Sequence, residues 1–206
     1  MRYKYELTDK TRSIGPVTVK QIKRISDGVL GGFIEKESNL SHGGDCWVLK
    51  DAVISGNARV SENAHIYGNA QVSEYALVCG NAKISGNARI FGSAWVCGYA
   101  TVYETTWVFG SAWVGENSHV FGDAQISGTA RIYGDAQVSG HAQVHGTARV
   151  FGTTKVGENA ILDDSFPKFF ENLPFDFSVL PKEVTEVKVN GIIYYKKPTT
   201  ILEKKL

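Results

Sequence analysis

The chain has 206 residues and a formal net charge of +1, which suits one substantial domain with small terminal additions and gives no general attraction to nucleic acid or membranes. No apolar run approaches the roughly 20 residues that span a bilayer, the first residues lack the apolar core of a signal peptide, and three cysteines are too few for a secreted disulfide framework. We therefore expect a cytoplasmic protein with reduced thiols and no membrane partner.

Residues 1–51 follow no repeat and predict a small amino-terminal β cap. Alternating runs at residues 3–7 and 17–25 predict two strands on either side of a turn at Gly15 and Pro16, and further turns precede Phe33. The open end of a stack of strands exposes unpaired backbone and an apolar interior. We expect a bulky side chain such as Trp47 to cover that end.

Residues 52–165 form nineteen consecutive six-residue units that follow one pattern with few exceptions, in the order Ala, any residue, Val or Ile, any residue, Gly or Glu, any residue. Fixed apolar positions alternate with variable ones, which indicates strands with one buried face, and the frequency of Gly excludes a helix. The pattern predicts an all-β fold, a left-handed parallel β-helix with three hexapeptides per coil and about six coils. Gly would occupy the corners, where positive φ angles are needed.

Residues 166–206 form a carboxy-terminal appendage in this interpretation. The phenylalanine-rich stretch 166–173 predicts a short helical turn. Two alternating runs, 184–189 and 192–196, flank Asn190 and Gly191, and this arrangement predicts a β-hairpin.

The variable positions form vertical columns, because three hexapeptides per coil place residue n over residue n+18. These columns predict an exposed aromatic belt around the middle of the prism with arginines below it: Leu77, Phe91, Trp95, Trp107, Phe109, Trp113, Arg131 and Arg149. Contiguous apolar surface of this kind marks an interface. One interpretation is self-association. The other is a ligand or partner site, in a cleft between subunits where Trp and Arg hold a planar or anionic group.

Cys79 and Cys97 fall one strand apart in one column. Their backbones would lie about 4.8 Å apart, inside the distance that a disulfide accepts. A reducing compartment disfavours that bond, and the alternative interpretation is a pair of small apolar side chains beneath the aromatic belt.

The histidines are the candidate bases and metal ligands. His65 and His119 share a column but lie about 14 Å apart, too far to hold one metal within a chain, and His141 and His145 straddle a corner. His119 is the candidate general base, because it lies on the same coil as Trp107 and Trp113. The sequence predicts no metal site, phosphate loop or catalytic triad.

The hexapeptides resemble the hexapeptide-repeat superfamily of left-handed β-helix proteins, which includes many acyltransferases and the gamma-class carbonic anhydrases. Residues 31–48, which begin Gly31-Gly32 and end Cys46-Trp47-Val48, are similar to the amino-terminal signature of YdcK-like proteins of enterobacteria and of phage hexapeptide-repeat proteins labelled transferases. The resemblance implies a homotrimer and acyl transfer from an acyl-CoA or acyl carrier protein, with a histidine base at a cleft between subunits. The chain lacks the extruded loop of those enzymes, a histidine in a matching motif, and the three-histidine zinc set of the anhydrases.

Two functions from different classes follow. The first is a non-catalytic oligomeric binding protein of phage or prophage type, whose scaffold sequesters a small anionic or nucleotide-like ligand or blocks a host protein. The alternative is an acyltransferase that uses acyl-CoA and His119 as its base. A metal-dependent lyase is a third hypothesis.

Overall fold

A computed structural model describes residues 3–163 and the backbone of residues 187–189 and 192–194. The described chain begins with three strands: β1 (Tyr5–Ile14), β2 (Val17–Arg24) and β3 (Leu30–Ile34). The first two pair antiparallel across the predicted turn at Gly15 and Pro16, with Ile14 opposite Val17. A one-turn 3-10 helix, Glu37–Asn39, follows and is the single helical element in the described residues.

A further 20 strands follow at regular spacing, and each is two residues long. In chain order they are β4 (Trp47–Val48), β5 (Val53–Ile54), β6 (Arg59–Val60), β7 (His65–Ile66), β8 (Gln71–Val72), β9 (Leu77–Val78), β10 (Lys83–Ile84), β11 (Arg89–Ile90), β12 (Trp95–Val96), β13 (Thr101–Val102), β14 (Trp107–Val108), β15 (Trp113–Val114), β16 (His119–Val120), β17 (Gln125–Ile126), β18 (Arg131–Ile132), β19 (Gln137–Val138), β20 (Gln143–Val144), β21 (Arg149–Val150), β22 (Lys155–Val156) and β23 (Ile161–Leu162).

These strands form three parallel sheets, which confirms the predicted all-β parallel β-helix. The first sheet has the order β1-β2-β3-β5-β8-β11-β14-β17-β20-β23, the second β6-β9-β12-β15-β18-β21, and the third β4-β7-β10-β13-β16-β19-β22. Every pairing among β4 to β23 joins residues 18 apart, such as Trp95 opposite Trp113. The seven strands of the third sheet make about seven coils rather than about six. The left hand of the coil stays a prediction.

The interior contains the fixed residues of the hexapeptide. The Val or Ile of each strand is fully or almost fully buried, as are most of the alanines that precede the strands. The first residue of each strand points outward, which produces the alternating burial of strands such as Arg89–Ile90. The regular positions therefore build one continuous core, and the variable positions build the surface.

Glutamates at the corners are structural. Glu62, Glu74, Glu104 and Glu116 occupy the Gly position of the hexapeptide with φ between 55° and 62°. Each accepts, through Oε2, the backbone N–H of the glycine 18 residues further on, at 2.7 to 3.0 Å. These carboxylates thus connect neighbouring coils where an unpaired amide would otherwise face solvent.

The solenoid begins one coil before the first regular hexapeptide. Phe33 pairs in parallel with Val53, Leu40 forms a bridge to Val60, and β4 pairs with β7. The offset is 20 residues at the first two pairings and 18 at the third. Residues 33–48, which carry most of the signature segment, therefore form an irregular first coil.

Trp47 is almost fully buried and belongs to the core cluster. It is in register with His65 on the first coil. There the guanidinium of Arg24 lies 4.7 Å from its ring, and Tyr5 packs against its edge. Tyr5 and Ile22 from the first two strands join the same buried core, and the Tyr5 hydroxyl donates to the carbonyl of Leu40 at 2.8 Å.

In the appendage, β24 (Val187–Val189) and β25 (Ile192–Tyr194) pair antiparallel, with Val189 opposite Ile192. This pairing confirms the hairpin that the sequence predicts around Asn190 and Gly191. The predicted helical turn at 166–173 lies outside the described residues. Within the described part of the chain, no helix has the length and apolar character needed to cross a membrane.

Candidate functional site

The outer face of the second sheet carries one continuous column of side chains. From the first strand of this sheet to the last, the column contains Arg59, Leu77, Trp95, Trp113, Arg131 and Arg149, each in register with the next. An apolar centre is thus flanked by arginines at both ends, with no acidic side chain in the column. At about 4.8 Å between strands, six strands extend over about 24 Å. We call this set the Arg-Trp column.

A second aromatic cluster lies on the first sheet, around the corner from the Arg-Trp column. The rings of Phe91 and Phe109 stack with centroids 5.0 Å apart and an angle of 3° between planes. Trp107 meets Phe91 edge to face at 6.2 Å, and the guanidinium of Arg89 lies 5.6 Å from the Trp107 ring. Phe91 and Trp95 are separated along the chain by a single corner. The two clusters therefore flank the same edge of the prism.

The predicted belt residues differ in exposure. Leu77 and Trp107 are 40% exposed and Trp95 is 48% exposed, whereas Phe91, Phe109 and Trp113 are half-buried. Trp113 lies over Gly115, where an added Cβ would come within 2.8 Å of the indole. Its ring also stacks on Tyr133 with centroids 6.0 Å apart. Stacking within a column covers part of each ring, so the belt residues are exposed to different degrees.

The sequence interpretation missed several aromatic residues. On the third sheet Tyr103 stacks on Phe121 at 5.1 Å, and on the second sheet Tyr133 stacks on Phe151 at 5.5 Å. All four follow the Val or Ile of their hexapeptide at a spacing of 18, so the column rule that found Phe91 could have found them. Aromatic surface therefore reaches all three sides of the prism.

An open depression of about 340 Å³ lies at the amino-terminal end of the Arg-Trp column. It is lined by Ser38, Asn57, Arg59, Tyr75 and Leu77. A guanidinium, a phenol ring, an amide and a hydroxyl therefore converge beside an apolar side chain. This mixture can hold a small planar or anionic group.

Two thiols lie beside the tryptophans of the column. Cys79 and Cys97 follow the paired strands β9 and β12, and both are half-buried free cysteines. The indole N–H of Trp95 donates to Cys79 Sγ at 3.3 Å, and that of Trp113 donates to Cys97 Sγ at 3.1 Å. Each sulfur therefore accepts a hydrogen bond from an indole on the coil after its own.

The two thiols titrate very differently. The neighbouring Cys97 thiol, together with the Trp95 indole N–H, lowers the pKa of Cys79 to about 6, although burial and the charge of Glu62 act in the opposite direction. The pKa of Cys97 is raised by the neighbouring Cys79 sulfur and by partial burial. Near neutral pH, the deprotonated form is therefore favoured at Cys79 and the protonated form at Cys97.

The histidines do not come together. His119 Nδ1 lies 2.6 Å from the hydroxyl oxygen of Thr101, its neighbour in the column, and His65 Nδ1 lies 2.8 Å from the carbonyl of Asn63. His141 pairs with Asp123 at 3.3 Å on the surface. Among residues 3–163, no three His, Cys, Asp or Glu side chains gather as a metal site.

The fold defines the chain as a parallel β-solenoid protein. A family model described as the YdcK beta solenoid repeat matches residues 82–98, 124–140 and 130–146, which is less than a quarter of the chain. The first match contains Trp95 and Cys97, and the other two contain Arg131. No curated protein matches the chain.

Proposed function

We propose that this β-solenoid is a non-catalytic oligomeric binding protein, in which the aromatic edge between the first and second sheets forms an interface between copies. The observation that carries the proposal is the exposure of Leu77, Trp95 and Trp107 around one edge of a rigid prism. Exposed apolar side chains in a contiguous patch gain free energy when a partner covers them. The scaffold itself loses little entropy on binding, because each coil is held by the coils on either side of it.

A closed homotrimer fits a patch that lies at one edge of a three-sided prism. In a cyclic assembly, the aromatic edge of each copy contacts a different face of its neighbour. When the ring of three copies closes, all three aromatic edges are covered. The resemblance to left-handed hexapeptide-repeat proteins supports the same assembly. The arginines at the ends of the Arg-Trp column then border the interface rather than lie in its centre.

The depression around Arg59 is the proposed site for a small anionic or nucleotide-like ligand. Arg59 supplies charge and a planar donor group, and Tyr75 supplies a ring on which a planar group can stack. The resemblance of residues 31–48 to phage proteins supports a phage or prophage setting in the cytoplasm. In that setting the scaffold would sequester its ligand, or block a host protein through the same surface.

The oligomer is tested by sedimentation velocity of the double variant Trp95→Glu with Trp107→Glu. The wild-type chain should sediment at about three times its 22.5 kDa mass. The variant should sediment as a monomer, because the free energy needed to bury two carboxylates at each contact exceeds the free energy gained by covering the apolar side chains. Trp113 is left intact because its indole packs within its own chain.

The matched control is Gln125→Glu with Gln143→Glu, which adds the same charge to the first sheet beyond the aromatic cluster. It should leave the assembly unchanged. A monomeric wild-type protein, or a double tryptophan variant that keeps its assembly, would disprove the interface.

The ligand site is tested by thermal shift with nucleoside triphosphates, nucleoside monophosphates and acyl-CoAs on the wild-type protein and on Arg59→Ala. A nucleotide at about 100 times its Kd stabilises the folded state by about 2.7 kcal/mol, and Arg59→Ala should abolish the shift. Arg149→Ala, at the far end of the column, serves as the control. Absence of a shift with every nucleotide contradicts the ligand assignment.

One observation favours acyl transfer as a second candidate. The hydrogen bond between Thr101 and His119 Nδ1 fixes the orientation of the imidazole, as a general base requires. Acetyl-CoA turnover that depends on His119 and falls in Thr101→Val would support this candidate. A thermal shift with acyl-CoA but no turnover would instead support binding alone.

A further inference from the structure

We propose that Cys79 and Cys97 form a peroxide-reactive dithiol, in which Cys79 is the attacking sulfur and Cys97 is the resolving sulfur that closes a disulfide between adjacent coils. The proposal requires that the interface proposed above leave the Cys79 sulfur accessible, so alkylation and oxidation are measured on the assembled protein. It assigns a modification site to the two thiols that lie beside the tryptophans of the Arg-Trp column.

The first support is the position of the two sulfurs. Leu77 pairs with Trp95 and Val78 with Val96, so Cys79 and Cys97 follow directly in the same register on parallel strands. Strands in a sheet lie about 4.8 Å apart, within the range of Cα separations that disulfides use. The register is fixed by neighbouring coils, so the two sulfurs stay near each other with no rearrangement of the backbone.

The second support is the pair of indole donors. The N–H groups of Trp95 and Trp113 each donate to a sulfur of the pair, and a sulfur that accepts hydrogen bonds is stabilised as the thiolate. The lowered pKa of Cys79, to about 6, follows from the neighbouring Cys97 thiol together with the Trp95 indole. Glu62 is the charged group that opposes this effect.

The third support is access. Cys79 and Cys97 are each half-buried, whereas Cys46 is fully buried and hydrogen-bonded to the ammonium group of Lys4 at 3.1 Å. Reactive cysteines combine thiolate character with exposure, and inert ones lack at least one of these. Cys46 therefore provides an internal comparison within the same chain.

The reaction is balanced by one molecule of hydrogen peroxide. The Cys79 thiolate attacks a peroxide oxygen, the O–O bond breaks, and a sulfenic acid and hydroxide form. The sulfur of Cys97 then attacks the Cys79 sulfur, its proton leaves with the departing oxygen as water, and an S–S bond forms. In total, two thiols and one hydrogen peroxide give one disulfide and two waters. The two sulfurs together lose two electrons, which reduce the peroxide.

Reactivity is measured first by alkylation with iodoacetamide, followed by peptide mass spectrometry, from about pH 5 to about pH 10. The midpoint for Cys79 in the assembled wild-type protein should lie near pH 6. Cys97→Ala removes the neighbouring thiol and should move the midpoint toward the ordinary thiol value of about 8.5. Cys97→Ser keeps a donor and should restore part of the shift, which a purely structural role of Cys97 would not do.

Oxidation is measured with one equivalent of hydrogen peroxide. The wild-type chain should lose two hydrogens in mass and give a Cys79–Cys97 linked peptide, with Cys46 unmodified. Cys97→Ala should stop at a sulfenic acid that dimedone traps on Cys79, and Cys79→Ala should yield no trapped sulfenic acid. A wild-type midpoint near pH 8.5, links between chains, or overoxidation of Cys79 without a disulfide would overturn the proposal.

Discussion

The carboxylate of Glu104 accepts the backbone N–H of Gly122, eighteen residues further along the chain, at 2.7 Å. Glu104 itself has a φ of 62°, a conformation that favours glycine, so one residue both strains a corner and connects two coils. Three other corner glutamates repeat this arrangement, which shows that the departures from Gly in the hexapeptide have a physical reason.

Glu104→Ala should destabilise the protein by about 1 kcal/mol, because the hydrogen bond is lost while the unfavourable φ remains. Glu104→Gly should be close to neutral, since relief of the backbone strain offsets the lost bond. Urea unfolding at a fixed protein concentration measures both. Glu104→Gln, which keeps an acceptor oxygen, is the control. Equal losses for Ala and Gly would contradict the strain argument.

Gly115→Ala should displace the indole of Trp113 from the surface of its coil. The new Cβ would lie 2.8 Å from the ring, which must swing outward and lose its bond to Cys97. The loss of stability should be about 1 kcal/mol, because the ring is only half-buried. Tryptophan emission should shift to longer wavelength. Gly157→Ala, at the equivalent position of another hexapeptide, should leave the emission unchanged.

Ile90→Ala should cost about 2 to 5 kcal/mol, because the side chain is fully buried in the middle of the stack and its coil cannot collapse around the cavity. Lys83→Ala, on an exposed position of the same coil, should change stability by less than about 0.5 kcal/mol. Chemical denaturation compares the two. Similar effects of both changes would show that the described core does not determine stability.

Tyr5 should make stability fall at alkaline pH. Burial, with the charge of Glu37, raises the pKa of its hydroxyl above the ordinary value of about 10, so the unfolded chain loses this proton first. The contribution is complete below about pH 10 and declines above it, by up to about 1.4 kcal/mol per pH unit. Tyr5→Phe should remove this part of the decline. Parallel pH profiles for the two proteins would refute the assignment.

The repeat made most of the fold predictable from sequence. Spacing of 18 residues predicted that Trp95 lies over Trp113 and that Thr101 lies over His119, and both pairings are found. Prediction was less successful where spacing is irregular. The 20-residue offset between Phe33 and Val53 hid the first coil.

The candidate site was only partly predictable. The 18-residue spacing identifies which side chains share a face, and it found the tryptophans and arginines of the Arg-Trp column. It does not specify how a ring lies on its neighbours, so it missed that Trp113 covers Gly115 and is half-buried. The same spacing could have predicted that Tyr103 lies over Phe121, because they are 18 residues apart.

The sequence by itself determined the parallel stack, its core and its register, because alternation and period are local properties that every coil repeats. The tertiary structure decided what the irregular residues do. Only the coordinates show that the indoles of Trp95 and Trp113 point back to the sulfurs of Cys79 and Cys97. Side-chain direction depends on the shapes of neighbours from other coils, and those neighbours are assembled only when the chain has folded.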